Sequence, residues 1–170
     1  FQINLCAFSR DIWVANLNEL NRANKEAAPG DCIILRNGNW ENVKIVLTGT
    51  GTKEQPIRIK AETPGQVRIT GQSALRIGGS YLVVEGLYFV SGFSGAENVI
   101  QFRHTTDLVA NNCRVTNTTI HDFNNPKRLQ DNYWIALYGK NNRVDHCSFV
   151  DKKNLGVLLA VILDDERSRE

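Results

Sequence analysis

From residue 32 onward, apolar residues occur in short runs separated by Gly, Asn, Pro and Thr. Short runs bounded by such turn-forming residues are typical of β-strands. Six of these runs precede residue 85, at 32–35, 43–47, 57–60, 67–70, 75–77 and 82–84. The pattern therefore predicts an all-β body that begins after residue 31.

One segment before the strands has the apolar spacing of a helix instead. Leu17, Leu20 and Ala23 recur at intervals of three residues, which places them on one helical face. Asn16 followed three residues later by Glu19 matches a capping box, and a Pro-Gly pair at residues 29 and 30 stops the helix. We expect one short amphipathic helix over residues 17–28.

An internal repeat is the most informative feature of the chain. Val84, Val115 and Val144 begin three copies, at intervals of 31 (115 minus 84) and 29 (144 minus 115) residues. Each valine is followed after three and after five residues by another predicted inward position, namely Leu87, Thr118 and Cys147, then Phe89, Ile120 and Phe149. A period of this length is typical of a solenoid.

Strict alternation of inward and outward residues is broken once in every copy, and the break predicts a corner. The corner residues are Gly86, Asn117 and His146, types that tolerate or favour positive φ. Each copy is thus expected to run strand, one-residue corner, strand, and stacked copies form a right-handed parallel β-helix. The asparagine pairs at 111–112 and 141–142 are predicted to hydrogen-bond along the stack through their amides.

The ends of such a solenoid need covering because they expose strand edges and core. The helix at 17–28 is predicted to cap the first coil, and residues 158–163 are predicted to begin a further rung. We interpret residues 10–170 as the first coils of a single β-helix domain that is incomplete at its C-terminal end. Residues 1–9 are interpreted as a remnant of a signal peptide ending at Ala7-Phe8-Ser9, which predicts a secreted or periplasmic protein.

The cysteines favour neither a disulfide framework nor a zinc site. Lipid attachment at Cys6 is the less favoured alternative to plain secretion, since Ile3, Asn4 and Leu5 are not the small residues preferred ahead of such a cysteine. The other three lack CxxC spacing and are expected to be buried free thiols: Cys32, Cys113 and Cys147.

Charge and hydropathy exclude two classes of partner. Twenty Lys and Arg nearly balance 18 Asp and Glu, giving a net charge of +2, so nucleic acid is not an expected partner. No apolar run approaches the roughly 20 residues needed to span a bilayer.

Several segments resemble polysaccharide lyase family six, the alginate lyase and chondroitinase B group. The most specific is 137–149 (LYGKNNRVDHCSF); 29–40 (PGDCIILRNGNW) is weaker because it occurs in many β-helix proteins. Shorter matches lie at 49–52, 61–65, 71–73 and 81–87, and the resemblance covers about residues 12–170. The Tyr133-Trp134 pair and residues 137–140 favour the alginate branch over chondroitinase, which acts on chondroitin or dermatan sulfate.

The resemblance implies a pectate-lyase-like solenoid that cleaves a uronate polymer by β-elimination. It implies a calcium ion that neutralises the uronate carboxylate, a lysine base that removes the C5 proton and an assisting arginine. The family's calcium ligands, an Asn and two Glu, lie with that Lys and Arg on later coils, and none of the five can be carried onto this chain. The resemblance therefore predicts no catalytic or metal-binding residue here and an inactive isolated chain.

Basic residues between 127 and 153 are candidates for substrate binding. Tyr138, Arg143 and Lys152, with Lys140 and Lys153 nearby, are predicted to form a groove wall for a polyanionic sugar chain. The histidines are interpreted as surface or turn residues, and the acidic run at 164–166 as a solvated loop. A non-catalytic carbohydrate-binding or structural β-helix module remains the alternative function.

Overall fold

Three parallel sheets, wound by successive coils of the chain, form the body of the computed structural model. The structure describes residues 9–95 and 98–163, so most of the predicted signal remnant, Cys6 and the acidic run at 164–166 lie outside the described residues. In chain order the elements are β1 (Asp11–Val14), α1 (Leu17–Glu26), β2 (Cys32–Leu35), β3 (Gly38–Glu41), β4 (Lys44–Leu47), β5 (Ile57–Ala61), β6 (Val67–Gln72), β7 (Ala74–Ile77), β8 (Leu82–Glu85), β9 (Leu87–Phe93), β10 (Ile100–Gln101), β11 (Arg103–Thr105), β12 (Leu108–Val109), β13 (Arg114–Thr116), β14 (Thr119–His121), β15 (Ile135–Leu137), β16 (Arg143–Asp145), β17 (Ser148–Val150) and β18 (Leu159–Val161).

Each of the five coils contributes one strand to each sheet, and β1, which precedes the first coil, adds a sixth strand to the first sheet. The first sheet has the order β1-β2-β5-β8-β13-β16, the second β3-β6-β9-β14-β17 and the third β4-β7-β10-β15-β18. All neighbouring strands in these sheets are parallel. The antiparallel hairpin β11–β12 is inserted between the third and fourth coils. This topology confirms the predicted parallel β-helix, and β18 is the further rung expected near residue 158.

The repeat seen in the sequence corresponds to the inward columns of the structure. Val84, Val115 and Val144 are aligned in the first sheet. The second sheet aligns the three aromatic or aliphatic positions in the same way, Phe89, Ile120 and Phe149. Val84 and Val115 are fully buried, while Val144 and Phe149 in the fifth coil are partly buried against the same core. Both predicted columns are therefore confirmed.

The predicted corners between the first and second sheets are also confirmed. Gly86, Asn117 and His146 have φ of 80°, 49° and 51°. A left-handed residue at this point turns the chain within one residue, which lets inward positions continue on the next strand. The sequence signal was the break in alternation together with residue types that accept positive φ.

Asparagine side chains fix the opposite corner, between the third and first sheets. Oδ1 of Asn142 accepts from the Cys113 amide at 2.9 Å, and its Nδ2 donates to the carbonyls of Ala110 at 2.8 Å and Tyr138 at 2.7 Å. Oδ1 of Asn111 accepts from the Lys140 amide at 3.1 Å. The expected amide hydrogen bonds along the stack are thus present.

Helix α1 covers the first coil as predicted but ends two residues earlier than 28. The Asn16 side chain accepts from the Glu19 amide at 3.0 Å. Leu20 and Ala23, on the inner face of the helix, are buried in the core. The helix stops because the residue before a proline is disfavoured in helical geometry, and the Ala28 amide donates to the Asp31 carboxylate at 2.8 Å instead.

Strands β1 and β3 are among those not expected from the hydrophobic pattern. Strand β1 pairs with β2 ahead of the first coil, yet its Trp13 is 46% exposed and its burial does not alternate strongly. Strand β3 contains one buried residue, Trp40, between polar neighbours. Both strands form because their backbones pair with a neighbouring strand, a tertiary effect that a four-residue pattern does not carry.

The three described cysteines are free, in agreement with the sequence. Cys32 and Cys113 are buried and Cys147 is half-buried. Burial raises the pKa of the Cys113 thiol to about 11, so it stays protonated. Within the same described ranges, no helix has the length and apolar character needed to cross a membrane.

Candidate functional site

Tyr138, the first predicted substrate contact, directly follows β15 and is buried against the hairpin. The guanidinium carbon of Arg103 lies 3.8 Å from the centre of the Tyr138 ring. Nη2 of the same arginine donates to the phenol oxygen at 3.2 Å. A cation held on an aromatic face in this way is stabilising. Tyr138 therefore fastens the β11–β12 hairpin to the third sheet.

Arg143, the second candidate, lies on the outer side of the first sheet and shares a carboxylate with two neighbours. Its Nε contacts Asp145, and the side chain is 66% exposed. Arg114 approaches the same carboxylate with Nε at 3.1 Å and Nη2 at 2.9 Å. His146 Nδ1 lies 3.2 Å from Asp145 Oδ1. One carboxylate thus faces two guanidinium groups, which leaves excess positive charge on this face.

The environment of Asp145 keeps its carboxylate ionised. The Thr116 hydroxyl is the largest influence and the Arg114 guanidinium the next, and together they hold the pKa of this carboxyl well below its usual range. The ionised carboxylate in turn orients Arg114 and Arg143 across adjacent coils. A polyanion would therefore meet arginines whose positions are already fixed.

Lys152, the third candidate, holds a loop that follows the second sheet. Its Nζ donates to the carbonyls of Asn154 at 2.8 Å and Leu155 at 3.0 Å. Partial burial lowers the pKa of this lysine. The adjacent Lys153 pairs with Asp122 at 2.7 Å. Lys153 thus ties the loop of the fifth coil to the fourth coil, whereas Lys152 holds the fifth-coil loop to itself.

The structure does not bring the three candidates into one groove wall. Tyr138 belongs to the third sheet, Arg143 to the first and Lys152 to the end of the second, so they lie on different sides of the solenoid. The prediction that these residues recur near one part of successive coils and form a single groove wall is wrong, because one coil of about 30 residues passes through all three sheets. A role in substrate binding stays a prediction for each residue separately.

A chain of proton-carrying groups on the outer face of the second sheet was missed by the sequence reasoning. The Tyr88 hydroxyl lies 3.0 Å from Nδ1 of His121, and Nε2 of His121 lies 3.4 Å from the Asp151 carboxylate. The two rings are nearly parallel, with centroids 6.4 Å apart. Arg68 lies 5.7 Å above the Tyr88 ring. Phenol, imidazole and carboxylate in this order can exchange protons and accept hydrogen bonds from sugar hydroxyls.

The repeat contained a signal for this group. Tyr88 is four residues after Val84, and His121 is six residues after Val115, so both are outward positions of the second sheet on neighbouring coils. The interpretation of His121 as an isolated surface residue was incomplete because its partners are 33 and 30 (151 minus 121) residues away in sequence.

A cavity of about 340 Å³ lies at the corner between the third and first sheets. Thr50, Ser80, Asn111 and Lys140 line it from four successive coils and pair as isolated parallel bridges. Asp107 and Leu108 of the hairpin region form the other wall. Hydroxyl, amide and ammonium groups in one concave surface are suited to a polar, hydroxylated ligand.

One kind of metal site, a cluster of three or more acidic, histidine or cysteine side chains, is absent from the described residues. Calcium takes six to eight oxygen ligands, several of them carboxylates. In residues 9–95 and 98–163, no three or more His, Cys, Asp or Glu gather closely enough to hold a metal ion.

The fold and these surfaces define a parallel β-helix protein with cationic and hydroxyl-bearing outer faces. A family model described as Chondroitinase B matches residues 14–169. A search of curated protein sequences gave no match. The chain belongs to the chondroitinase B family, the group of lyases called polysaccharide lyase family six.

Solved structures of this group are similar along nearly the whole chain. The family six alginate lyase AlyGC is 40% identical with a TM-score of 0.91, over 93% of this chain and 22% of its own. The polysaccharide lyase Pedsa3628 from Pseudopedobacter saltans is 36% identical with a TM-score of 0.83, over 91% of this chain and 34% of its own. A mannuronic acid specific family six lyase from human gut microbiota is 31% identical with a TM-score of 0.81, over 89% of this chain and 36% of its own.

Proposed function

We propose that this chain forms coils of a lyase that cleaves an anionic uronate polysaccharide, with alginate as the substrate. The observation that carries the proposal is the 40% identity to an alginate lyase across 93% of this chain. The chain spans 22% of that lyase's length, so the activity is proposed for the protein that contains these coils.

The proposed reaction is β-elimination, in which the C5 proton of a uronate is removed and the 4-linked oxygen leaves. The family resemblance implies that a calcium ion neutralises the uronate carboxylate and that a lysine removes the proton. It also implies that the residues for both lie on later coils, so no catalytic step is assigned to the described residues. The proposed part of these coils is to bind and orient the polymer. The Arg114–Asp145–Arg143 cluster is suited to this because its cations are fixed before binding.

Alginate is preferred to dermatan sulfate because the similar structures include an alginate lyase and a lyase specific for mannuronic acid. The sequence resemblance at 133–134 and 137–140 supports the same branch. In the structure Trp134 is fully buried and its Nε1 donates to the Phe123 carbonyl at 3.1 Å, so this residue contributes packing between coils and does not contact substrate directly.

The proposal includes export to the periplasm or the exterior. A long, highly charged polymer does not cross a membrane unaided, because moving each charge into apolar surroundings is costly. An enzyme for that polymer must therefore meet it outside the cytoplasm.

The test is to express the complete gene product and incubate it with calcium on polymannuronate, polyguluronate and dermatan sulfate. We expect unsaturated products, followed by ultraviolet absorbance, from at least one alginate polymer and none from dermatan sulfate. Cleavage of dermatan sulfate alone would overturn the choice of substrate, and no cleavage of any polymer would overturn the lyase.

A second candidate is a carbohydrate-binding β-helix module without catalysis. It is favoured by the fixed cations of the Arg114–Asp145–Arg143 cluster and by the 340 Å³ cavity. Retention of the complete gene product on an alginate column without any cleavage would support this candidate over the lyase.

A further inference from the structure

A second concave surface lies between the capping helix and the inserted hairpin. It has a volume of about 570 Å³, and we call it the cap pocket. Helix α1 contributes Arg22 and Lys25, the first coil contributes Val46 and Thr48, and the hairpin contributes His104. The pocket thus joins three elements that are far apart in sequence.

The helical wall of the cap pocket is held in place. Leu20 and Ala23 are buried on the inner side of α1. On the outer side, the Asn24 amide donates to the Val46 carbonyl at 3.4 Å, and its oxygen accepts from the Thr48 amide at 3.3 Å. The helix is therefore fixed both to the core and to the floor of the pocket.

The hairpin wall is held just as firmly. A Cβ on Gly78 would lie 2.7 Å from the His104 Cβ and 2.8 Å from the Leu108 carbonyl oxygen, so the hairpin packs closely only because this residue is glycine. The stacking of Arg103 on Tyr138 holds the other side of the same hairpin. A pocket with two anchored walls exists before a ligand arrives.

The positive charges that line the cap pocket favour an anionic ligand. Arg22 and Lys25 are three residues apart on α1, so their side chains lie on the same helical face. Among the described residues, no carboxylate lines the pocket. Glu19, one turn earlier, holds its carboxylate on the Ala15 amide at 2.8 Å, outside the lining. Two cations with an imidazole opposite them form a site for an anion.

The cap pocket adjoins the 340 Å³ cavity, since Thr48 lines both. The rungs Thr50, Ser80, Asn111 and Lys140 extend that cavity over three strand spacings, or about 14 Å at roughly 4.8 Å each. This trough offers hydroxyl and amide groups along its length and ends at a further cation. Asp107 lines the wall opposite these rungs, so the cationic cap pocket is the favoured place for a carboxylate and the trough is suited to sugar hydroxyls.

We propose that the cap pocket binds a uronate carboxylate of the polysaccharide and that the adjoining cavity receives the neighbouring sugar units. The identity of the ligand rests on the proposed function. The site holds the polymer and takes no part in bond cleavage. Arg22 and Lys25 contact the carboxylate, and His104 faces them from the hairpin.

The test is a titration of this chain with a mannuronate trisaccharide, followed by NMR of the His104 imidazole and the Asn21 side-chain amide. We expect saturable shifts of both signals. The double substitution Arg22→Gln with Lys25→Gln should weaken binding about tenfold, because two charge-assisted hydrogen bonds are lost. The matched control is Lys53→Gln with Arg58→Gln, which removes the same charge from exposed positions that line neither cavity and should leave the affinity unchanged.

Thermal unfolding checks that both double variants are folded, which we expect because all four side chains are exposed. The proposal is overturned if the trisaccharide leaves the His104 and Asn21 signals unmoved, or if the control weakens binding as much as the pocket variant. If either result is found while the complete gene product still cleaves alginate, the cap pocket is not a binding site for the polymer and the proposed lyase function is unaffected. If a dermatan sulfate oligosaccharide shifts these signals and alginate is not cleaved, the choice of alginate as substrate is wrong and the cap pocket remains a carboxylate-binding site.

Discussion

At the scale of single residues, most polar side chains between coils serve the backbone of a neighbouring coil. Buried Asn154 bonds the Asn125 backbone through both ends of its amide, with its oxygen 2.6 Å from the amide nitrogen and its Nδ2 2.9 Å from the carbonyl oxygen. Asn142 bonds three backbone groups in the same manner. Loops of a solenoid need such partners because their backbone groups are not paired along a sheet.

The substitution Asn142→Ala tests this role. It leaves the Cys113 amide and two carbonyls without their partner, so we expect a loss of roughly 2–4 kcal/mol in the free energy of unfolding. Asn39 is an exposed outward residue of β3 and provides the control, with an expected change within about 0.5 kcal/mol for Asn39→Ala. Chemical denaturation measures both. Equal losses would show that the amide of Asn142 does not hold the corner.

Ionisation of Asp145 makes the free energy of unfolding fall as the pH is lowered. Its folded pKa is lowered, chiefly by Thr116 and then by Arg114, so its stabilising contribution is complete above the unfolded value of about 4 and is lost as pH falls below it toward the folded pKa. Asp145→Asn should be less stable than the parent at neutral pH, and the difference should shrink on acidification. Denaturation midpoints across this pH range, with Asp11→Asn as the control, measure the effect. A difference that grows with acidity would contradict it.

At the scale of elements, the corners set which residues face inward. The corner between the first and second sheets was readable from sequence because the break in alternation recurs with a suitable residue type, as at Gly86 and Asn117. The third-to-first corner carries a second requirement that one sequence does not display. There, the neighbouring coil approaches so closely that a Cβ on Gly139 would collide with the Ala110 carbonyl oxygen.

Gly139→Ala separates close approach from backbone strain. Gly139 has φ of +73° and meets Ala110, whereas Gly65 has φ of +78° and a Cβ added there would meet no other atom within 4 Å. Both substitutions incur the cost of a left-handed alanine, about 1–2 kcal/mol. We expect Gly139→Ala to lose about 1–3 kcal/mol more than Gly65→Ala, because overpacking is added. Similar unfolding free energies for the two variants would show that the coils separate freely at this corner.

At the scale of the whole molecule, the periodic interior was predictable and the outer surface was not. Val84, Val115 and Val144 repeat because stacked coils demand the same inward residue type at the same register. Outward groups combine residues from different coils without any repeat, as with Tyr88 and His121, which are 33 residues apart. Neighbours in sequence, such as Tyr138 and Arg143, instead separate onto different sheets.

The isolated 170-residue chain is predicted to bind but not to cleave alginate. Cleavage needs a neutralised uronate carboxylate and a positioned base, and general-base catalysis alone is typically worth about 10²–10⁴-fold. The family resemblance implies that the residues supplying both lie on later coils. Incubation of the chain with alginate and calcium should therefore give no unsaturated product. Robust cleavage would place catalytic groups within this chain, with Tyr88 and His121 as the first to substitute.

The central claim is that these coils belong to a lyase, and the mass of the products tests it most directly. A lyase breaks the glycosidic bond by elimination, so each new non-reducing end carries a double bond and the two products together contain no added water. The complete gene product acting on an alginate oligosaccharide should release a fragment with this unsaturated end, as read by mass spectrometry. Products that together have gained the elements of water at the cleaved bond would show hydrolysis and contradict the account.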